Sequence, residues 1–161
     1  LLVIEAGRRI ARGMSAKEIY QEVSALTAHS HASFILDTLE FMHAGGRCSA
    51  VTALGANLLR LKPCIEVDNL RGGAMSVGKK YRGSLEKVLP QYTRDKLADR
   101  ADLVLDRVFI THSGISQNYI DLVRSTIQQI ADFREICVTR ASCTISCHCG
   151  PNKLGVLFLT K

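Results

Sequence analysis

Arg107-Val108-Phe109-Ile110-Thr111-His112-Ser113-Gly114 is the stretch whose reading decides the fold. A run of apolar and β-branched residues closed by Ser-Gly predicts a strand over 107–112 that ends in a turn. Ser116 then stands as an N-cap ahead of Ile120, Val123, Ile127 and Ile130, which recur at helical spacing and form one apolar stripe. Glu135-Ile136-Cys137-Val138-Thr139 follows as a second strand. Strand, helix and strand in immediate succession form a βαβ unit, whose crossover lays the two strands parallel in one sheet.

On the carboxyl side, Gly150-Pro151-Asn152 is a turn sequence, and 154–160 is the last expected strand. On the amino side, Ser84 caps a helix carrying Leu85, Val88, Leu89 and Tyr92, with Pro90 expected to kink it or end it early. Cys64 to Asp68 alternates as a strand, Asn69 to Gly73 turns the chain, and Ala74 to Val77 returns, an antiparallel hairpin. From Ser49 to Leu61 nearly every residue is small or apolar, the mark of a buried helix, which Pro63 is expected to end. Ser33 to Leu36 reads as a buried strand, and Asp37 to Met42 as a short helical turn closed by Gly45-Gly46. Ser15 to Glu18 is a capping box opening a helix to about His29. An earlier helical pattern ends at Gly13; it opens on Leu1 without Met or N-cap, so sequence upstream is expected to have been removed. The expected architecture is one domain over 1–161, a mixed sheet of about five to six strands with helices packed on it, α/β or α+β in class.

The composition fits that architecture and excludes others. In 161 residues, 47% hydrophobic and 22% charged, there is enough apolar surface for a core without disulfide or metal. Disorder, collagen and a disulfide scaffold are excluded. Apolar runs such as Val156 to Leu159 fall far short of the roughly 18 residues needed to span a bilayer. A net charge of +6 favours an anionic partner, but the basic residues are scattered, aromatics make up 6% and Trp is absent, so no nucleic-acid stacking platform is expected. Six cysteines form no CxxC pair, and a reducing cytoplasm is the simpler expectation. Neither GxGxxG nor GxxxxGK[ST] occurs, and no cofactor is expected.

The densest chemical cluster is Cys143 to Gly150, with Cys143, Cys147, Cys149 and His148 inside it. Read as extended chain, it would turn Cys147 and Cys149 to one face and His148 to the other, which cannot close a zinc tetrahedron. A nucleophilic cysteine would need a base, for which His43, His112 and His148 are available; Cys48, Cys64 and Cys137 read as small buried residues. His148, held by Gly150-Pro151, is expected at a loop tip or site edge, whereas His112 at a strand end is expected to satisfy local backbone. Arg47 follows two glycines and precedes the apolar segment, with Ser49 at its N-cap, a place of positive potential that would welcome a carboxylate or phosphate. A salt bridge to Glu40 or Asp37 is the plainer alternative. A fixed cation beside an apolar helix also suits a fatty acid, its tail along Leu54, Leu58 and Leu61, although the same helix read alone is core.

Asp37-Thr38-Leu39-Glu40-Phe41 with Gly45-Gly46-Arg47, and Ser146-x-His148-x-Gly150-Pro151 before Leu154-Gly155, resemble the two signature stretches of the DegV family. Asn57 to Pro63, Gly78-Lys79-x-x-Arg82-Gly83 and Thr111 to Gly114 fall between them in the family's order. The resemblance implies the carboxyl-terminal domain of a two-domain bacterial fatty-acid-binding protein. Such a protein is not a complete enzyme: some family members present the lipid carboxylate to a separate fatty acid kinase subunit that serves phospholipid synthesis. It implies Arg47 and His148 at the head group; Ser146 and Ser49 are further candidates for ligand binding, with Leu54 and Leu58 as candidates along the tail. The family's Thr and Ser carboxylate ligands are expected in an amino-terminal half. Asn152 stands where the family has Gly, and tolerates a left-handed backbone. Arg71, Lys79, Lys80 and Arg82 form a candidate docking patch for an acidic kinase surface, with a plain solvated surface as the alternative. Two competing classes remain: a thiol hydrolase using Cys147 or Cys149 with His148, and nucleic-acid binding from charge alone.

Overall fold

In the computed structural model, the described residues are 1–38, 40, 41 and 61–161. Two amino-terminal helices, α1 (Leu2–Ala11) and α2 (Ala16–Leu26), pack on each other, and a 3-10 turn over Thr27–His29 leads into the sheet. Then come β1 (Ser30–Ile35), β2 (Leu61–Asp68), β3 (Ala74–Arg82), α3 (Leu85–Leu97), β4 (Val108–His112), α4 (Gln117–Ile130), β5 (Ile136–Arg140), α5 (Cys143–Cys149) and β6 (Leu154–Leu159). The six strands form one mixed sheet in the order β3-β2-β1-β6-β4-β5. All neighbours run antiparallel except β4 and β5, which pair in parallel across the α4 crossover, as the βαβ pattern predicts.

The capping box at Ser15 forms in full, Glu18 N–H donating to the serine hydroxyl while the Glu18 carboxylate accepts from Ser15 N–H at 2.8 Å. Helices α3 and α4 start where expected, but the Ser84 and Ser116 side chains make no capping hydrogen bond. Pro90 neither ends nor shortens α3, which runs on to Leu97. It removes one backbone donor, and the burial of Leu85, Val88, Leu89, Tyr92 and Leu97 on one stripe outweighs that loss.

Two other expectations are corrected, and a third holds over the residues described. Leu61, expected to close the apolar helix, opens β2 instead, and Pro63 lies within that strand at a bulge opposite β3. The rest of the helix expected over 49–61 lies outside the described residues. In the turn expected over 37–42, Asp37 bends and Glu40 and Phe41 are helical, while Leu39 and Met42 lie outside the described residues. The stretch Cys143–Cys149, considered above as extended chain, is a helix capped by Ser142, whose hydroxyl accepts from Ile145 N–H.

The strands' alternation gives the sheet two different faces. Ile35, Cys64, Ile110, Leu154, Val156 and Phe158 point to the face covered by α3 and α4, and with Val88, Leu89, Val123 and Ile127 they form the core. Ala32, Phe34, Val67, Gly155 and Leu157 belong to the other face, where they line a cavity. One side chain from α3 reaches into the sheet itself. The fully buried Tyr92 hydroxyl donates to the Ser33 carbonyl at 2.7 Å and accepts from Val156 N–H at 2.9 Å, while Ser33 Oγ lies 2.9 Å away. Ser33 and Val156 are direct partners across β1 and β6, so the phenol links the two strands at mid-sheet. Burial pushes its ionisation far above the ordinary tyrosine value, so it remains a neutral donor.

Tyr92→Phe is therefore expected to strand a buried amide and a buried carbonyl and to lower the unfolding free energy by about 1–3 kcal/mol. Denaturant unfolding checks this; an unchanged midpoint would show that the strands pair without the phenol.

Candidate functional site

A cavity of about 300 Å³ lies over the sheet face opposite α3 and α4. Phe34 and Ala32 of β1, Gly155 and Leu157 of β6, Val67 of β2 and Met75 of β3 give it apolar walls. Gly155 is required by close approach: a Cβ there would lie 2.5 Å from the Ser33 carbonyl oxygen and 2.9 Å from Phe34 Cβ. Around the opposite end stand Thr111 and His112 at the end of β4, Ser113 just after it, His148 and Cys149 of α5, and Lys153 just before β6, although the surface turned to the cavity is almost wholly apolar.

Two short loops are clamped together to build that end. Ser113 N–H donates to the Lys153 carbonyl at 3.1 Å, Asn152 N–H to the Gly114 carbonyl at 3.0 Å, and the Ser113 hydroxyl to the Gly150 carbonyl. The Gly114 amide donates to His112 Nδ1 at 3.2 Å, the local backbone role expected for that histidine. Burial, with the Arg140 guanidinium in support, holds the His112 pKa below its ordinary value. Asn152 takes φ of 60°, the left-handed conformation expected where the family has glycine. Gly150 ends α5 with φ of 74°, and a Cβ on it would fall 2.2 Å from the Phe41 ring. Asp37 pairs with Lys62 at the start of β2.

Of the residues predicted from sequence, the structure brings His148 to the cavity. Ser146, in the same helix, does not line it; its hydroxyl lies 3.5 Å from the Ala141 carbonyl. Arg47, Ser49, Leu54 and Leu58 lie outside the described residues. Arg71, in the turn before β3, and Arg82, at the end of β3, are exposed, and Lys79 pairs with Asp95 at 2.7 Å with its ammonium over the Tyr81 ring. Lys153 was absent from the sequence-based candidates. It follows the turn in what reads as ordinary strand sequence, and a lone lysine carries no signal that its amine points inward.

Among the described residues the cysteines do not assemble a metal centre. Cys64, Cys137, Cys143, Cys147 and Cys149 are free thiols, and among the described residues no group of three His, Cys, Asp or Glu side chains could hold a metal ion. Helical geometry leaves Cys143 and Cys147 exposed, four residues apart on one face, and turns Cys149 inward. Burial pushes the Cys149 thiol above its ordinary pKa, opposed only in part by Lys153, which is the reverse of what an activated nucleophile needs. Among the described residues no helix is long and apolar enough to cross a membrane.

Two outcomes follow. Iodoacetamide at neutral pH should modify Cys143 and Cys147 before Cys149, with Cys64 last, as read by peptide mass spectrometry; fastest labelling at Cys149 would restore the hydrolase reading. Gly150→Ala should lower stability by about 1–3 kcal/mol through backbone strain and the Phe41 contact, measured by thermal or denaturant unfolding.

The sequence matches the family described as "Uncharacterised protein, DegV family" over residues 1–161. A DegV domain-containing protein of Deinococcus radiodurans is 30% identical over 147 residues, covering 90% of this chain and 50% of the relative. A Clostridium perfringens relative is 26% identical over 161 residues, covering 96% of this chain and 53% of its own length. The chain thus spans about half the length of the curated relatives it matches. The fold is that of a Eubacterium eligens DegV family protein loaded with heptadecanoic acid, with a TM-score of 0.83, 21% identity, and coverage of 99% of this chain and 56% of that one. It is also that of the fatty acid kinase (Fak) B3 protein of Streptococcus pneumoniae loaded with linoleic acid, with a TM-score of 0.80, 18% identity, and coverage of 99% and 55%. With a family match along its whole length and a mixed sheet of the same design, the chain belongs to the DegV family.

Proposed function

We propose that the protein binds a long-chain fatty acid on the open face of its sheet, without itself catalysing a reaction. The observation that carries the reading is the cavity: its surface is almost wholly apolar, with walls of Phe34, Val67, Met75 and Leu157, and His112, Ser113, His148 and Lys153 border one end. An alkyl tail needs such walls, and a carboxylate needs polar side chains close behind them. Its 300 Å³ lies at the lower end of the range of small-molecule sites, about 300–1,000 Å³. Burying the tail gains roughly 0.8 kcal/mol per methylene, so the walls supply most of the affinity and the polar end sets orientation. Solved relatives of the same fold, loaded with heptadecanoic and linoleic acid, support the ligand class.

In this reading His148 and Arg47 hold the head group, Ser146 and Ser49 stand near it, and Leu54 and Leu58 extend the tail channel. The carboxylate is presented to a separate fatty acid kinase subunit in the bacterial cytoplasm, with Arg71, Lys79 and Arg82 as the docking side. The Streptococcus pneumoniae relative, named for fatty acid kinase, supports such a partner. The 1–161 unit serves as one domain of a two-domain protein, the family's arrangement.

Organic extraction and mass spectrometry of the full-length protein tests the reading. Near-stoichiometric long-chain fatty acid is expected, and its absence would overturn it. Arg47→Ala and His148→Ala should each weaken retention of oleate by roughly tenfold, about the worth of one charge-assisted hydrogen bond. Unchanged retention in both would remove them from the head-group site.

A further inference from the structure

Lys153 is buried, with 3% of its surface exposed, and is among the residues lining the cavity. Its Nζ has no hydrogen-bond partner, the one such buried side-chain atom among the described residues. Burial lowers its pKa to about 8, so it remains mostly protonated at neutral pH. A buried ammonium without a partner is strongly unfavourable, because desolvation is then uncompensated.

This chain does not supply the missing anion. Asp37 and Glu40 favour the charge from a distance, but Asp37 is paired with Lys62 and Glu40 is exposed. The thiol of Cys149 is pushed towards its neutral form. Residues 39 and 42–60 contain neither Asp nor Glu, so no carboxylate can come from them.

We infer that Lys153 is the counter-ion of the bound lipid's carboxylate, and that it sets the site's preference for a free acid over a neutral lipid of the same length. The inference rests on the fatty-acid reading above. Lys153 borders the cavity with its ammonium shielded behind the apolar lining. A carboxylate entering head-first towards α5 draws the ammonium out by a turn of the lysine side chain, a movement that breaks no hydrogen bond of the amine, and forms a charge-assisted hydrogen bond shielded from water. An alcohol or methyl ester gains the same tail burial and leaves the ammonium uncompensated. Discrimination therefore comes from the penalty on the wrong head group as much as from attraction of the right one.

The test compares oleate with oleyl alcohol in binding to the full-length, delipidated protein and to Lys153→Met. Methionine has similar length and suits the apolar surroundings, and Lys153→Gln makes the same comparison with a neutral polar side chain. The unaltered protein is expected to prefer oleate, and each variant to lose roughly tenfold of that preference with alcohol affinity equal or improved. An equal preference in the unaltered protein and both variants overturns the role of Lys153 while leaving fatty-acid binding intact. If the unaltered protein binds neither probe, the fatty-acid reading fails and this inference with it.

Discussion

The hydroxyl of Tyr92 ties the helical layer to the middle of the sheet. It satisfies a carbonyl on β1 and an amide on β6, two strands distant in sequence that are neighbours at the centre of the fold. Because the phenol arrives from α3, the helix cannot slide or rotate without stranding both groups in a water-free core, where each would cost about 1–3 kcal/mol. The placement of α3 fixes the face covered by Leu85, Val88 and Leu89, and so leaves the opposite face of the sheet for another purpose.

That opposite face explains the pattern of residues along β1 and β6. Ala32, Phe34, Gly155 and Leu157 are apolar or small, as a packed face requires, yet among the described residues they border a cavity rather than a helix layer. The missing side chain at Gly155 lets the β1 backbone and Phe34 approach, where any larger residue would push the strands apart. At the rim, the loops after β4 and before β6 are bound to each other by backbone hydrogen bonds, so His148 and Lys153 border one space from two parts of the chain. A sheet with one face sealed by helices and, among the described residues, a cavity over the other has a natural place for an alkyl chain.

The helix over Cys143–Cys149 shows how much depends on local backbone state. As extended chain the cysteines and histidine would alternate between faces; wound into a helix, His148 and Cys149 turn to the cavity while Cys143 and Cys147 turn to solvent. The short sequence mixes small, β-branched and thiol side chains with no clear period, and a helix of seven residues is bounded there by Ser142, whose hydroxyl accepts from Ile145 N–H, and by Gly150 at a positive φ. The same glycine brings Phe41 against the end of α5, joining the two signature stretches in space.

Much of the fold was legible in the residues alone, because it rests on short-range rules. The apolar stripe of α4 between two β-branched runs dictates a parallel crossover, the alternation about Asn69–Gly73 dictates a hairpin, and Ser15 with Glu18 dictates a helix start. Pro90 and Leu61 were misread for a common reason: local propensity favours a break at one and helix at the other, but burial of the Tyr92 stripe and pairing with Arg82 across the hairpin decide otherwise. His148 could be singled out because Gly150 and Pro151 mark a turn beside it. Lys153 could not, since whether a lysine amine faces water or a cavity depends on which strands lie above and beside it. Sequence by itself determined most of the elements, through periodicity and turn chemistry acting over a few residues, and its motifs carried the resemblance to the family. Only the tertiary structure decided which face stays open and which charge is buried without a partner, because burial belongs to the whole packed chain.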